Sequence, residues 1–511
     1  MSLPNTLLSI DLNNDWTNTS VTLDSSPKPS GVPNLIHGGI WANRKTGILY
    51  TGFAGTSPYF GDQASSPQGL WSFTPDDSAG GLWKSLNGST DDWFTNQSRP
   101  YKGLVTSGRG YGFLLGGIVG NNNETQPPPG RLITYDIPDK KVISTNTNSF
   151  AFGPFSGSWG ASYNGTTFVP NWGNRGLLIA VGGGSQGRRG NSETTNRDPF
   201  RTIHVYDIDN DRWYEQQSTG AIPQARQDFC MAGSPSNNET HEILVYAGWN
   251  GTLGASSIPY DSAYVLTLPG FYWVKANYPA ASPRHGLSCD AVSGSQIVTV
   301  GGVDTTQQNA NDSYTAVFQT PDPFTQGLAI FDLSSLSWRS SYQAQRGLQP
   351  PAPEIQAYYN TNGRAPENGF ASPALQALFA TSSFPSTDPG STTSGAGSPR
   401  ARHDATAAII GGTVGGCAAV GFATWALVWW HHRRQRRKRG SEGAWSDDVE
   451  GEGGEGMGPM EMGDGDDGEW RWRMREWKEE ETGEGVSAAG GGGGWGAEGR
   501  RGRHAVGSAR V

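Results

Sequence analysis

Four histidines precede residue 400: His37, His204, His241 and His285. No Tyr-His pair stands in this stretch to seed a copper centre built on histidine and tyrosine ligands. His204 falls in IHVYD, where side-chain alternation makes it an ordinary sheet residue. His285 falls in SPRHGLSC, beside a strand start. No Ser-His-Asp framework can be recognised for acyl transfer. The run VGGGSQGRRGNS (181–192) resembles a phosphate loop only in its glycines, because it lacks the Lys-Ser/Thr ending and no helical pattern follows. Arg188 and Arg189 within it read as solvated loop residues. The expectation is no catalytic residue, no metal site and no cofactor.

Cysteine chemistry is equally sparse. Cys417 lies in a greasy segment, which leaves Cys230 and Cys289, and no C-x-x-C offers a zinc framework. These two are expected as buried thiols in strands. Pairing in an oxidising compartment is the alternative.

The elements that would hold such residues repeat along the chain. An apolar strand ends near Gly-Gly, a variable loop follows, and a second strand ends at Asp, then a turn, then Trp. GLLIAVGGGSQG (176–187) leads to RTIHVYDIDNDRWYEQ, and QIVTVGGVDTT (296–306) leads to GLAIFDLSSLSWRSS. Asp207 precedes Trp213 by the same spacing as Asp332 precedes Trp338. Related units begin at 47, 112 and 242, the second with Val142 at the Trp position. Gly183, Gly184, Gly301 and Gly302 are expected to let the chain turn where a side chain would clash. Trp213 and Trp338 are expected to fill space between neighbouring sheets. Scarce charge (17%), 73 glycines and 19 tryptophans suit a fold of short strands.

This pattern resembles the kelch β-propeller family. The resemblance implies an all-β propeller over residues 1–345 with about six blades. The N-terminal blade is incomplete, because LLSIDLNNDWTNTSVTL (7–23) supplies only its last two strands. Closure by PEIQAYYNTNG (353–363) is an alternative, and that segment also reads as a short helix from Pro353. Galactose-oxidase-like enzymes share such blades, so a secretory oxidase is a competing reading. A cytosolic kelch adaptor carrying a membrane tail is another.

Residues 346–404 read as a stalk rich in Ser, Thr, Pro and Gly. Residues 405–430 carry no charge and are long enough to cross roughly 30 Å of hydrocarbon as a helix. Trp425, Trp429 and Trp430 crowd its end. Arg433, Arg434, Arg436, Arg437, Lys438 and Arg439 follow, which puts the C-terminus in the cytosol and offers anionic lipids a partner. Gly411, Gly412, Gly415 and Gly416 form overlapping G-x-x-x-G pairs, a face for a homodimer in the bilayer. Residues 431–511 read as a disordered cytoplasmic tail, basic and then acidic. In EWRWRMREWKEEE, Trp470, Met474 and Trp477 would share one helical face, although a loosely ordered Trp-rich tract is the default.

N-x-Ser/Thr sequons stand at Asn18, Asn87, Asn96, Asn123, Asn164, Asn238, Asn250 and Asn311, all before the membrane stretch. They agree with an extracellular N-terminal part. MSLPNTLLSI has neither the basic start nor the apolar core of a signal peptide, so the missing leader and blade strands are expected upstream of Met1. A net charge of -9 argues against nucleic acid. The expected function is a single-pass cell-surface recognition scaffold for an extracellular glycan or protein.

Overall fold

The structure is a computed structural model. It describes residues 6–29, 31–32, 35–36, 38–52, 55–56, 69–76, 79–86, 103–115, 132–145, 164–182, 199–249, 261–307, 321–380, 382, 461–463 and 471–473. Residues 1–434 form one compact unit and 435–511 a second.

Five four-stranded antiparallel sheets follow one another along the first unit. Each uses its strands in chain order from the innermost outward. Blade 1 comprises Trp41–Asn43, Ile48–Thr51, Trp71–Pro75 and Gly81–Ser85. Blade 2 comprises Leu104–Gly108, Tyr111–Leu115, Leu132–Asp136 and Lys141–Thr145. Blade 3 comprises Asn164–Val169, Leu177–Gly182, Thr202–Asp207 and Arg212–Gln217. Blade 4 comprises Cys230–Pro235, His241–Tyr246, Ala263–Leu268 and Tyr272–Lys275, with Thr219–Gly220 added in parallel at its outer edge. Blade 5 comprises Ser288–Ala291, Gln296–Val300, Leu328–Asp332 and Ser337–Arg339. The first strands of successive blades lie against one another, so blades stack around a common axis.

The repeated Asp and Trp are explained by the outer hairpin of each blade. Asp207 accepts from the amide of Asp209 (3.0 Å) and from Asn210 Nδ2 (2.6 Å), which closes the turn between the third and fourth strands. Chain reversal there sets Trp213 opposite Tyr206, with ring centroids 4.8 Å apart. Trp338 stands opposite Phe331 in the same way and packs on Tyr246 of blade 4 (4.6 Å). Val142, Trp273 and Trp83 hold the matching positions opposite Tyr135, Leu266 and Phe73. Trp213, Trp273 and Trp338 lie in clusters that cross from one blade to the next. At the end of the second strand of blade 5, Gly301 and Gly302 have φ of 68° and 107°. Such backbone strains an L side chain, which is why the chain uses glycine there. Gly183 and Gly184 lie outside the described residues.

Among the described residues the expected sixth blade appears as a short N-terminal piece, and its strands differ from those expected. Thr6–Ser9 pairs with Asp24–Pro27, and Trp16–Thr17 pairs with Ser341–Tyr342 beyond blade 5. Ile10–Leu12 does not form a strand. The reason is apolar burial. Leu12, Trp16 and Val21 pack on Val298, Leu328, Ile330 and Tyr342, so this stretch runs along blade 5. Leu7 packs instead on Leu49 and Phe73 of blade 1. One segment therefore contacts the last blade and the first.

The stalk boundary at 345 is also corrected. Two helices, α1 (Pro353–Asn362) and α2 (Pro373–Ala380), fold onto blades 3 and 4. Proline opens each helix, where its missing N–H costs nothing. Ile355, Tyr358, Tyr359, Leu375 and Phe379 are buried. Tyr358 stacks on Tyr272 at 4.2 Å, and Phe379 meets both Trp172 of the blade 3 turn (4.9 Å) and Phe271 (5.3 Å). The apolar spacing of this segment, not its proline content, decides its fate.

Among the described residues no helix is long and apolar enough to cross a membrane. The expected membrane segment 405–430, Gly411, Gly412, Gly415, Gly416 and the arginine block lie outside the described residues. In the second unit Glu461–Gly463 pairs with Arg471–Arg473. Residues 471–473 are thus a strand where a helix was one expectation, while Trp470, Met474 and Trp477 lie outside the described residues.

Candidate binding cavity on the propeller axis

Among the described residues the innermost strand of every blade has one edge without a neighbouring strand. Together these edges wall a cavity of about 700 Å³. That is the size of a cleft for a small ligand or for the tip of a larger one. Ala42, Val105, Thr106, Ser107, Thr166, Phe168, Met231, Ser234, Ser288 and Asp290 line it, drawn from all five blades. Leu7, Leu49, Phe73 and Trp83 extend the lining toward the junction of the N-terminal segment with blade 1.

Side chains stitch these inner strands across the blade boundaries. The amide of Ala42 donates to Ser107 Oγ (2.9 Å), and the amide of Phe168 donates to Thr106 Oγ1 (3.2 Å). Trp41 is fully buried, stacks on Tyr135 at 5.3 Å, and donates from Nε1 to the Phe113 carbonyl (3.0 Å). These bonds fix blade 1 on blade 2 and blade 2 on blade 3. The cavity wall is therefore held by packing rather than by loops.

Cys230 and Cys289 form a disulfide, which corrects the expectation of two separate thiols. They begin or nearly begin the innermost strands of blades 4 and 5, and their Cα atoms lie 5.5 Å apart, within the span a disulfide bridges. Their separation of 59 residues hides this adjacency in the sequence.

Charge enters the cavity at a few points. Asp290 is half-buried in the wall, and loss of water raises its carboxyl to about 6, while Arg44 on the first turn of blade 1 pulls it back down. Arg109, on the matching turn of blade 2, donates to the carbonyls of Asn174 and Pro170 (the latter at 2.8 Å). It braces the blade 3 turn beside the opening. His241 is 1% exposed and also borders the cavity. Burial lowers its pKa to about 3, so the ring is neutral. Its Nδ1 shares a 2.7 Å bond with Asn171 Oδ1, which makes Nδ1 the donor and Nε2 a bare acceptor. Nε2 has no hydrogen-bond partner among the described residues. It sits over Gly233, where a Cβ would come within 2.7 Å of it.

The other histidines stand as the strand pattern implies. His204 is buried in the third strand of blade 3 opposite Glu215, and burial lowers its pKa to about 4. His285 bonds Thr305 Oγ1 through Nδ1 (2.9 Å) and stacks on Trp249 (5.1 Å). His37, Arg188 and Arg189 lie outside the described residues. Among the described residues no group of three or more His, Cys, Asp or Glu could hold a metal ion.

Of the sequons, Asn18 is half-buried and Asn238 is exposed on the turn between the first two strands of blade 4. Asn164 begins the first strand of blade 3. Asn87, Asn96, Asn123, Asn250 and Asn311 lie outside the described residues. Sequence reasoning missed Asn171, Asp290, Arg44 and Glu242. The available signal was HEILVYAG, two ionisable residues opening an otherwise apolar strand.

No family model matches the chain. A protein described as "Kelch repeat-containing protein" from Arthroderma benhamiae is 24% identical over 516 residues, covering 86% of this chain and 73% of that protein. This chain is a homologue of that fungal kelch-repeat protein. The kelch resemblance read from the Gly-Gly, Asp and Trp spacing is thus matched by a relative whose similarity covers most of the chain. A solved structure, that of YjhT, matches with a TM-score of 0.40 at 12% identity, over 60% of this chain and 84% of that one.

Proposed function

We propose that this kelch-type propeller is a non-catalytic recognition scaffold displayed outside the cell on a single membrane helix, and that it takes an extracellular glycan or protein. The axial cavity is the place for recognition. It offers hydroxyl groups, aliphatic and aromatic surface, and the Arg44–Asp290 charge pair on a rigid frame. Such a set supplies hydrogen bonds and charge complementarity to a ligand. Residues 405–430 supply the anchor and Arg433–Arg439 its cytosolic flank.

The observation that most supports the outside placement is the Cys230–Cys289 disulfide, because such bonds persist in oxidising compartments and are rare in the cytosol. The test is thiol alkylation of the full chain made in a eukaryotic secretory host and denatured without reductant. The expected result is that only Cys417 is alkylated until a reductant is added. Full alkylation of Cys230 and Cys289 without reductant would remove this support and favour a cytosolic adaptor.

A further inference from the structure

Glu242 is the second residue of the strand His241–Tyr246, and it is 2% exposed. The three hydroxyls that reach its side of the strand form a chain. Thr240 Oγ1 donates to Glu242 Oε1 (2.6 Å), and Thr267 Oγ1 donates to the same oxygen (3.1 Å). Thr267 has then spent its proton, so it accepts from Tyr359 of α1 (2.9 Å). The Tyr359 hydroxyl in turn accepts from the amide of Gly270 (3.1 Å). On the other side Thr240 accepts from Ser236 Oγ (2.7 Å). Helix α1 is therefore the lid over a buried carboxyl, and one of its own side chains is part of that carboxyl's hydrogen-bond chain.

The charged and titratable groups around this seat are few. His241 precedes Glu242 and is held neutral. Glu239, on the preceding turn, is exposed and lies 3.9 Å from Arg364. Arg364 follows α1, donates to the Glu239 and Asn238 carbonyls, and acts on Glu242 only through space. Tyr358 and Tyr359 are the ionisable groups that α1 buries, and burial pushes both phenols up, so they stay protonated at neutral pH. Among the described residues no ion pair reaches Glu242. A buried carboxylate held by hydroxyls and a backbone amide, with its nearest cation acting only through space, is costly, and its neutral form is favoured.

We propose that α1 and the residues after it form a pH-sensitive latch on blade 4, held more tightly at acidic than at alkaline pH because its seat encloses a carboxyl that has no ion-pair partner among the described residues. Burial raises Glu242 to about 7 from an ordinary value of 4.5. A raised carboxyl adds docking stability that is full below about 4.5 and is lost as pH climbs through about 7. Between pH 5 and pH 8 the docking equilibrium weakens by on the order of 10- to 100-fold. Residues 353–380 precede the stretch expected to reach the membrane, so the latch sets where the tether leaves the propeller.

Amide hydrogen exchange on the full chain at pH 5 and pH 8, corrected for intrinsic rates, tests this. Protection across residues 353–362 is expected to fall at least 10-fold from pH 5 to pH 8 while the blade 3 strands change little. Glu242→Gln keeps the hydrogen-bond shape without the titration, and its α1 protection is expected to be the same at both values. Unchanged protection in the unmodified chain overturns the latch, even if Glu242→Gln folds poorly. The same pH response retained in Glu242→Gln overturns it as well.

Discussion

Replacing Asp332 by alanine should destabilise the propeller more than replacing Asp207, although both occupy the same position of the repeat. Asp332 is fully buried and gathers two cations. Arg346 Nη1 lies at 2.8 Å and Arg339 Nε at 2.6 Å, both on Oδ2. Its Oδ1 accepts from Ser295 Oγ (3.0 Å), Ser334 Oγ (2.7 Å) and the Ser334 amide (3.0 Å). Arg346 is mostly buried, so alanine at 332 strands its charge; Arg339 is half-exposed, and water softens its loss. Stranding one buried charge and its hydroxyl partners costs about 3–5 kcal/mol. Asp207 gives up only neutral donors, for about 1–2 kcal/mol. The assay is urea denaturation of the two full-chain variants followed by tryptophan fluorescence. Equal losses, or a larger loss for Asp207→Ala, would refute the reasoning. The pH response has a definite sign. Burial alone would raise the Asp332 carboxyl, but Ser334 and Arg346 outweigh it and hold it below 3.8. Its stabilising contribution is therefore present above pH 3.8 and lost as pH falls through the lowered value, and Asp332→Asn should lack that acid limb.

Two further outcomes follow from the packing. Removing the disulfide by replacing Cys230 and Cys289 with alanine should cost about 2–4 kcal/mol by freeing the chain between them in the unfolded state, and denaturation of the oxidised and reduced wild-type chain should differ by a similar amount. Trp16→Ala removes the ring that stacks on Tyr342 at 5.1 Å and should cost about 3 kcal/mol; limited proteolysis should then cut within residues 6–27 well before it cuts the blades.

The outer hairpins were the legible part of the fold, because each is local. An aspartate closes a short turn, and the residue five or six positions on must face the strand just left, so spacing reveals pairing. The same spacing marked the five blades, while the expected sixth blade rested on the N-terminal fragment and is not among them. What remained hidden depends on residues that only the ring brings together. The Cys230–Cys289 bond needs two innermost strands side by side. The cavity needs five such strands, and Arg44 of blade 1 acts through space on Asp290 of blade 5 because the ring brings both to its lining. The N-terminal segment was half legible. Its Trp16 does pair as an edge strand, but with Ser341–Tyr342 at the far end of the propeller. The helix from Pro353 was one of two readings of its segment, but composition misled on the rest of 346–380, where proline and polar residues masked the spacing of Leu375 and Phe379 and the packing of both helices on the blades. HEILVYAG showed an ionisable residue at the head of an apolar strand, but not what covers Glu242, because that helix lies far along the chain.

The measurement that bears most directly on an extracellular scaffold is the gel mobility of the chain, made in a eukaryotic secretory host with the sequence encoded upstream of Met1 included, before and after N-glycosidase. Asn18 and Asn238 lie on the propeller as a half-buried and an exposed sequon, before the stretch expected to span the membrane. The account predicts a faster band after treatment, with glycan mapped to asparagines that precede residue 405. An unchanged band would contradict it and leave the propeller on the cytosolic side.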